Sequence, residues 1–189
     1  MKERPILFNS KMVRAILDGS KTQTRRIMKN QPTQKPKHIF PEGGFWFVVN
    51  ERSENGRWGY MADLDKPQEW NFDCPFGKVG DRLWVRETWA DVRGMGFDHP
   101  SGISSLKMQV AYKADCSEAG LVAAADYGVK WKPSIHMPRW ASRITLEITG
   151  IRIERMQDGG DRDFWGEEKW AENPWVWVIE FKKVDKNEA

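Results

Sequence analysis

Metal-binding and cross-linking residues are scarce in this chain of 189 residues, which has three histidines and two cysteines. Cys74 and Cys116 lie far apart without a CxxC pair, and His38, His99 and His136 are equally scattered. That spacing argues against a zinc site and against a disulfide scaffold. No apolar run approaches the length of a membrane span, and the opening Met-Lys-Glu-Arg-Pro lacks an apolar signal region. The expectation from these absences is a cytoplasmic chain with reduced thiols, no metal, no cofactor and no membrane contact.

Acid is missing from two segments. Residues 1–37 hold ten Lys/Arg against two Asp/Glu, although the whole chain carries only +3. Between Asp126 and Glu147 there is no acid at all. A basic segment beside a mildly acidic remainder suits an anionic partner, and it equally suits a solvated basic surface. Eleven tryptophans are the compositional excess. Most belong in a core, where large aromatic area is most useful, and some could be platforms for bases.

Pro5–Phe8 reads as a short first strand. Ser10 is a plausible N-cap for a helix whose apolar stripe is Met12, Val13, Ile16 and Leu17, and Gly19 suits its left-handed C-terminal position. The run from Lys21 to Arg26 then reads as a loop or turn, and residues 30–44, rich in Pro, Lys, Gln and Gly, as a loop. Phe45–Val49 and Arg57–Met61 could pair around Asn55-Gly56. Arg82–Trp89, Gln109–Lys113, Ile144–Met156 and Trp175–Phe181 read as strands, with a short helix or excursion over Ser117–Tyr127. Gly150 shifts the apolar phase of the long strand, which suggests a bulge. Few helices between five or six strands predict an α+β chain built on a small mixed or partly closed β-barrel with flanking helices.

Three groups of residues could carry chemistry. Lys21 and Thr24 sit beside Arg25 and Arg26; an ordinary lysine is a poor base, so Lys21 would need desolvation or neighbouring cations, with Thr24 as nucleophile or water-orienting group. The same cations could instead stabilise the end of the helix. A phosphate loop is ruled out, because the required upstream glycines are missing and the run follows a helix. Glu87 shares a face with Leu83, Val85 and Trp89, opposite Arg82, Trp84, Arg86 and Thr88, so it must be paired, protonated or at a barrel mouth. Lys21 or an arginine of the 25–26 pair is its natural partner. The third group is Lys130, Trp131, Lys132, His136, Arg139, Trp140 and Arg143, where cations interleave with tryptophans on either side of Pro133 and Pro138. Such a segment can contact phosphates and stack on unpaired bases, or brace a crossover with its tryptophans inward.

Together these segments resemble the ASCH-domain family, a branch of the PUA-like superfamily. Gly19, Lys21, Thr24 and Arg26 match its Gly-x-Lys-x-x-Thr-x-Arg motif, Gly80, Asp81 and Leu83 its Gly-Asp-x-Leu strand entry, and Trp177-Val-Ile-Glu-Phe181 its closing strand. The whole chain is similar to the longer ASCH-like proteins of bacteriophages and prophages. The resemblance implies one domain over 1–184, insertions at about 30–75 and 91–130, and a polar tail at 185–189. It implies a PUA-like barrel whose cleft is lined by Lys21, Thr24 and Arg26. The expected ligand is RNA, single-stranded nucleic acid or a modified nucleoside. One branch is an amidohydrolase that deacetylates acetylcytidine with a Lys, a Thr and a Glu. Lys21 and Thr24 match the first two, and Arg26 would face the developing oxyanion. The acid's usual helix corresponds to the short Gln157–Asn173 segment, so either Glu87 takes that role or the site lacks it. A phage structural or assembly protein without ligand chemistry is the third possibility.

Overall fold

The computed structural model describes residues 1–29, 31, 38–42, 45–49, 71–93, 109–160 and 162–184, with 38–42, 45–49 and 71–73 described through their backbone. The architecture is α+β. A five-stranded sheet has the order β1-β6-β9-β10-β2, comprising Glu3–Leu7, Arg82–Arg86, Thr145–Arg155, Trp175–Val184 and Gln23–Ile27. A three-stranded sheet joins β3 (His38–Glu42), β4 (Phe45–Val49) and β5 (Asn71–Asp73), and a two-stranded one joins β7 (Trp89–Asp91) to β8 (Val110–Tyr112). The helices are short: α1 (Ser10–Leu17), α2 (Glu118–Asp126), α3 (Arg162–Trp165) and α4 (Glu167–Glu172). Among the described residues the large sheet does not close on itself, and β1 and β2 are its edges. No described helix is long and apolar enough to cross a membrane.

The chain divides into two compact units, treated separately over their described residues. One comprises Glu3–Thr22, Arg82–Glu147 and the segment from Lys182; the other comprises Met1–Lys2, Gln23–Asp81 and Ile148–Phe181.

In the first unit, β1 runs parallel to β6 with Ile6 opposite Val85, and β6 runs antiparallel to β9 with Leu83 opposite Leu146. All four side chains are buried, each contributing roughly 1.5–3 kcal/mol relative to exposure. The expected alternation along 83–89 is present: Leu83, Val85, Glu87 and Trp89 are buried while Arg82, Trp84, Arg86 and Thr88 are half-exposed. Helix α1 buries Val13 and Ile16. Its cap is Asn9 rather than Ser10, because the Asn9 side chain accepts the Met12 N–H at 2.9 Å from an extended backbone. Gly19 takes φ +82° just past the helix, as its position predicts.

In the second unit, β10 lies between β9 and β2, and Trp175 through Ile179 are all buried. That matches a central strand apolar on both faces. The Lys21–Arg26 run is not a loop throughout: Gln23–Ile27 pairs antiparallel with β10, placing Thr24 opposite Ile179 and Arg26 opposite Trp177. Residues 30–44 likewise include a strand, β3, whose Pro41 is tolerated because β3 is an edge. The pairing partners of Phe45–Val49 are β3 and β5, and Arg57–Met61 lies outside the described residues. On β9 the buried positions shift from Leu146 and Ile148 to Ile153, the phase change expected at Gly150. A Cβ there would come within 2.6 Å of Glu180 Oε2, so the glycine lets that carboxylate lie across the strand.

Asp81, of the Gly-Asp-x-Leu match, is a structural carboxylate. It is buried, and it accepts the Lys2 N–H at 2.8 Å and the Lys78 N–H at 3.3 Å.

Candidate functional site

Alternation along β6 drives Glu87 into the first unit, where its side chain is 1% exposed. Its partner is neither Lys21 nor an arginine of the 25–26 pair but Arg143. Arg143 donates Nε–H to Oε1 at 2.9 Å and Nη2–H to Oε2 at 3.1 Å. The same guanidinium donates to Asp115 at 2.6 and 2.8 Å and lies 3.9 Å from the centroid of the Tyr112 ring. Such two-point contacts fix orientation as well as charge. Burial pushes the Glu87 carboxyl above its ordinary range; Arg143 opposes that shift and Asp115 reinforces it. Burial also works against the Arg143 charge, but Asp115 and Glu87 outweigh it and hold the guanidinium protonated. The two shifts agree on one picture: Arg143 answers to two carboxylates, and Glu87 to one cation.

Arg143 is therefore turned inward, away from the ligand-facing role its loop suggested. The remainder of that loop is split. Pro133 and Pro138 each precede a short 3₁₀ turn, Ser134–His136 and Arg139–Ala141, as their fixed φ favours. Met137 and Ala141 are buried against Trp89, and Tyr112 donates its hydroxyl to Ala141 O at 2.9 Å. Lys130, Lys132 and His136 are exposed and Trp131 is half-buried. Arg139 is exposed and pairs with Glu3 at 3.0 Å. Trp140 stands 55% exposed, its ring edge-to-face with Trp89 at 5.7 Å between centroids.

Cations surround these rings. Arg93 lies 5.3 Å from the Trp140 centroid, held by Asp91, whose carboxylate the Arg93 side-chain and backbone hydrogen bonds bring down to about 2. Lys132 Nζ lies 4.9 Å from the Trp89 centroid.

The Gly19–Arg26 motif spans the boundary between the two units. Lys21 belongs to the first unit and donates its backbone N–H to Ala15 O at 2.8 Å, closing the helix exit. Thr24 and Arg26 belong to the second; Thr24 is 3% exposed, and burial lowers the Arg26 pKa. Arg25 is 15% exposed and pairs with Glu154 at 3.4 Å. Thr22 is exposed.

Among the described residues no group of three His, Cys, Asp or Glu side chains could hold a metal, and Cys74 and Cys116 are free thiols. Compared with protein-family models, with curated proteins and with solved structures, the chain finds no significant match in any of the three.

Proposed function

We propose that this chain binds single-stranded RNA, or another unpaired or modified nucleoside, through the 130–143 segment, on an ASCH-like framework of the PUA-like, partly closed barrel type. The observation that carries the proposal is Trp140. A large ring kept 55% exposed, braced by Trp89 and approached by Arg93, has the form of a stacking platform for a base. Lys130 and Lys132 stand exposed in the same acid-free stretch, where phosphates would contact them. Support for hydrolysis is weaker. The raised Glu87 carboxyl is what a proton carrier needs, yet both of its oxygens are committed to Arg143.

The test is anisotropy of a labelled uridine decamer titrated at several salt concentrations. Affinity should fall log-linearly with salt, and Trp140→Ala should cost about 1–3 kcal/mol. Equal affinity for wild type and Trp140→Ala at every salt would remove Trp140 from the interface.

A further inference from the structure

We infer that the outward face of β6 is a second stacking site, so that the ligand is a strand of at least two unpaired nucleotides rather than a free nucleoside. The inference rests on the binding proposal above and extends it to residues outside the 130–143 segment. Strand alternation puts Arg82, Trp84 and Arg86 on the half-exposed face of β6. Around them the register sets Leu7, 40% exposed, opposite Arg86, and Pro5 and Thr145 on either side of Trp84. The result is one tryptophan on a sheet face between two arginines, with a third, Arg139, reaching in from the loop.

Distances separate close cation–ring contacts from looser ones. Arg143 and Arg155 lie 3.9 and 4.1 Å from the centroids of Tyr112 and Trp175, at stacking contact. Around Trp84, Arg86 and Arg139 lie at 5.4 and 5.9 Å, close to the outer limit of a cation–π interaction at about 6 Å. They sit farther from the ring than those two, and Trp84 stays half-exposed.

The charges point the same way. The Arg82 side chain makes no hydrogen bond or ion pair among the described residues. The carboxylates across the register from it, Glu3 and Glu147, pair with Arg139 and Lys182. Arg86 donates to Ile135 O and, among the described residues, to no carboxylate. Two guanidiniums without a carboxylate partner beside a half-exposed ring fit a phosphodiester with a stacked base. The same loop serves both platforms: Arg139 flanks Trp84, its neighbour Trp140 is the first platform, and Ile135, 56% exposed, accepts from Arg86.

The experiment compares the uridine decamer with uridine 5′-monophosphate as competitor, in wild type, Trp84→Leu, Arg82→Gln and Trp140→Ala, each checked for a native thermal melt. We expect Trp84→Leu to weaken decamer binding by roughly 5- to 150-fold. Arg82→Gln, which breaks no side-chain hydrogen bond or ion pair among the described residues, should lower the slope of log affinity on log salt by roughly 0.7. The monophosphate should compete far more weakly than the decamer. If Trp140→Ala weakens binding while Trp84→Leu and Arg82→Gln match wild type, the second site is wrong and the single platform stands. Should wild type bind no decamer, both proposals fall together. A Trp84→Leu chain that does not fold leaves the decision with the Arg82→Gln slope.

Discussion

Arg143 grips Glu87 through two hydrogen bonds, at 2.9 and 3.1 Å, across 56 residues of sequence. The pair joins the end of β6 to the segment that carries Trp140. Removing one partner leaves a buried charge without its counterpart, which costs about 3–5 kcal/mol. Arg143→Ala should therefore destabilise strongly in urea unfolding. Arg143→Ala combined with Glu87→Leu should recover much of that loss, because no uncompensated buried charge remains and the Asp115 carboxylate is exposed to solvent. A double variant no more stable than Arg143→Ala would count against the pair as the cause.

The same carboxyl predicts a pH dependence. Burial raises the folded-state value of Glu87 above its ordinary 4.5, so the folded chain holds this proton more tightly than the unfolded chain does. Its contribution is complete below 4.5 and is lost as pH rises through the folded-state value. The wild-type stability minus that of Glu87→Gln should therefore decline from acid towards neutral pH. Parallel curves would mean that Glu87 titrates normally.

Asp81 gives a sharper stability test. Its buried carboxylate accepts two backbone N–H groups, and each hydrogen bond to a charged acceptor contributes about 1.5–3 kcal/mol. Asp81→Ala should lower unfolding free energy by about 2–4 kcal/mol, with Asp81→Asn intermediate. A loss below about 0.5 kcal/mol, the usual range for a surface change, would show that water replaces the carboxylate without cost.

Acetate release from acetylcytidine decides the hydrolase alternative. With Glu87 held by Arg143, we expect wild type to release none above background. Turnover that disappears in Lys21→Ala would reverse that preference and restore Lys21 as base.

The sheet core and the burial of Glu87 were legible in the sequence because period-two alternation over 83–89 needs no knowledge of the rest of the fold. The identity of its partner was not, since Arg143 is distant in sequence and several cations were equally plausible. Strand β2 was missed for a related reason. Gln23-Thr-Arg-Arg-Ile27 has no apolar alternation, and it is a strand because β10 offers it an edge. Pro41 hid β3 in the same way. Trp84 was legible as outward-facing, but its flanking arginines mark a surface only once Arg139 is seen beside it.

The pairing order of the large sheet sets a schedule for folding. Strand β1 docks on β6, with Glu3 opposite Arg82, and Thr24 of β2 lies opposite Ile179 of β10. During synthesis both early strands therefore wait for partners made much later, β1 for β6 and β2 for β10. Contacts so distant in sequence carry a loop-closure cost before any pairing compensates it, which favours slow folding. The sheet edge that carries Thr24 and Arg26 is thus completed only once Trp175–Val184 has been made.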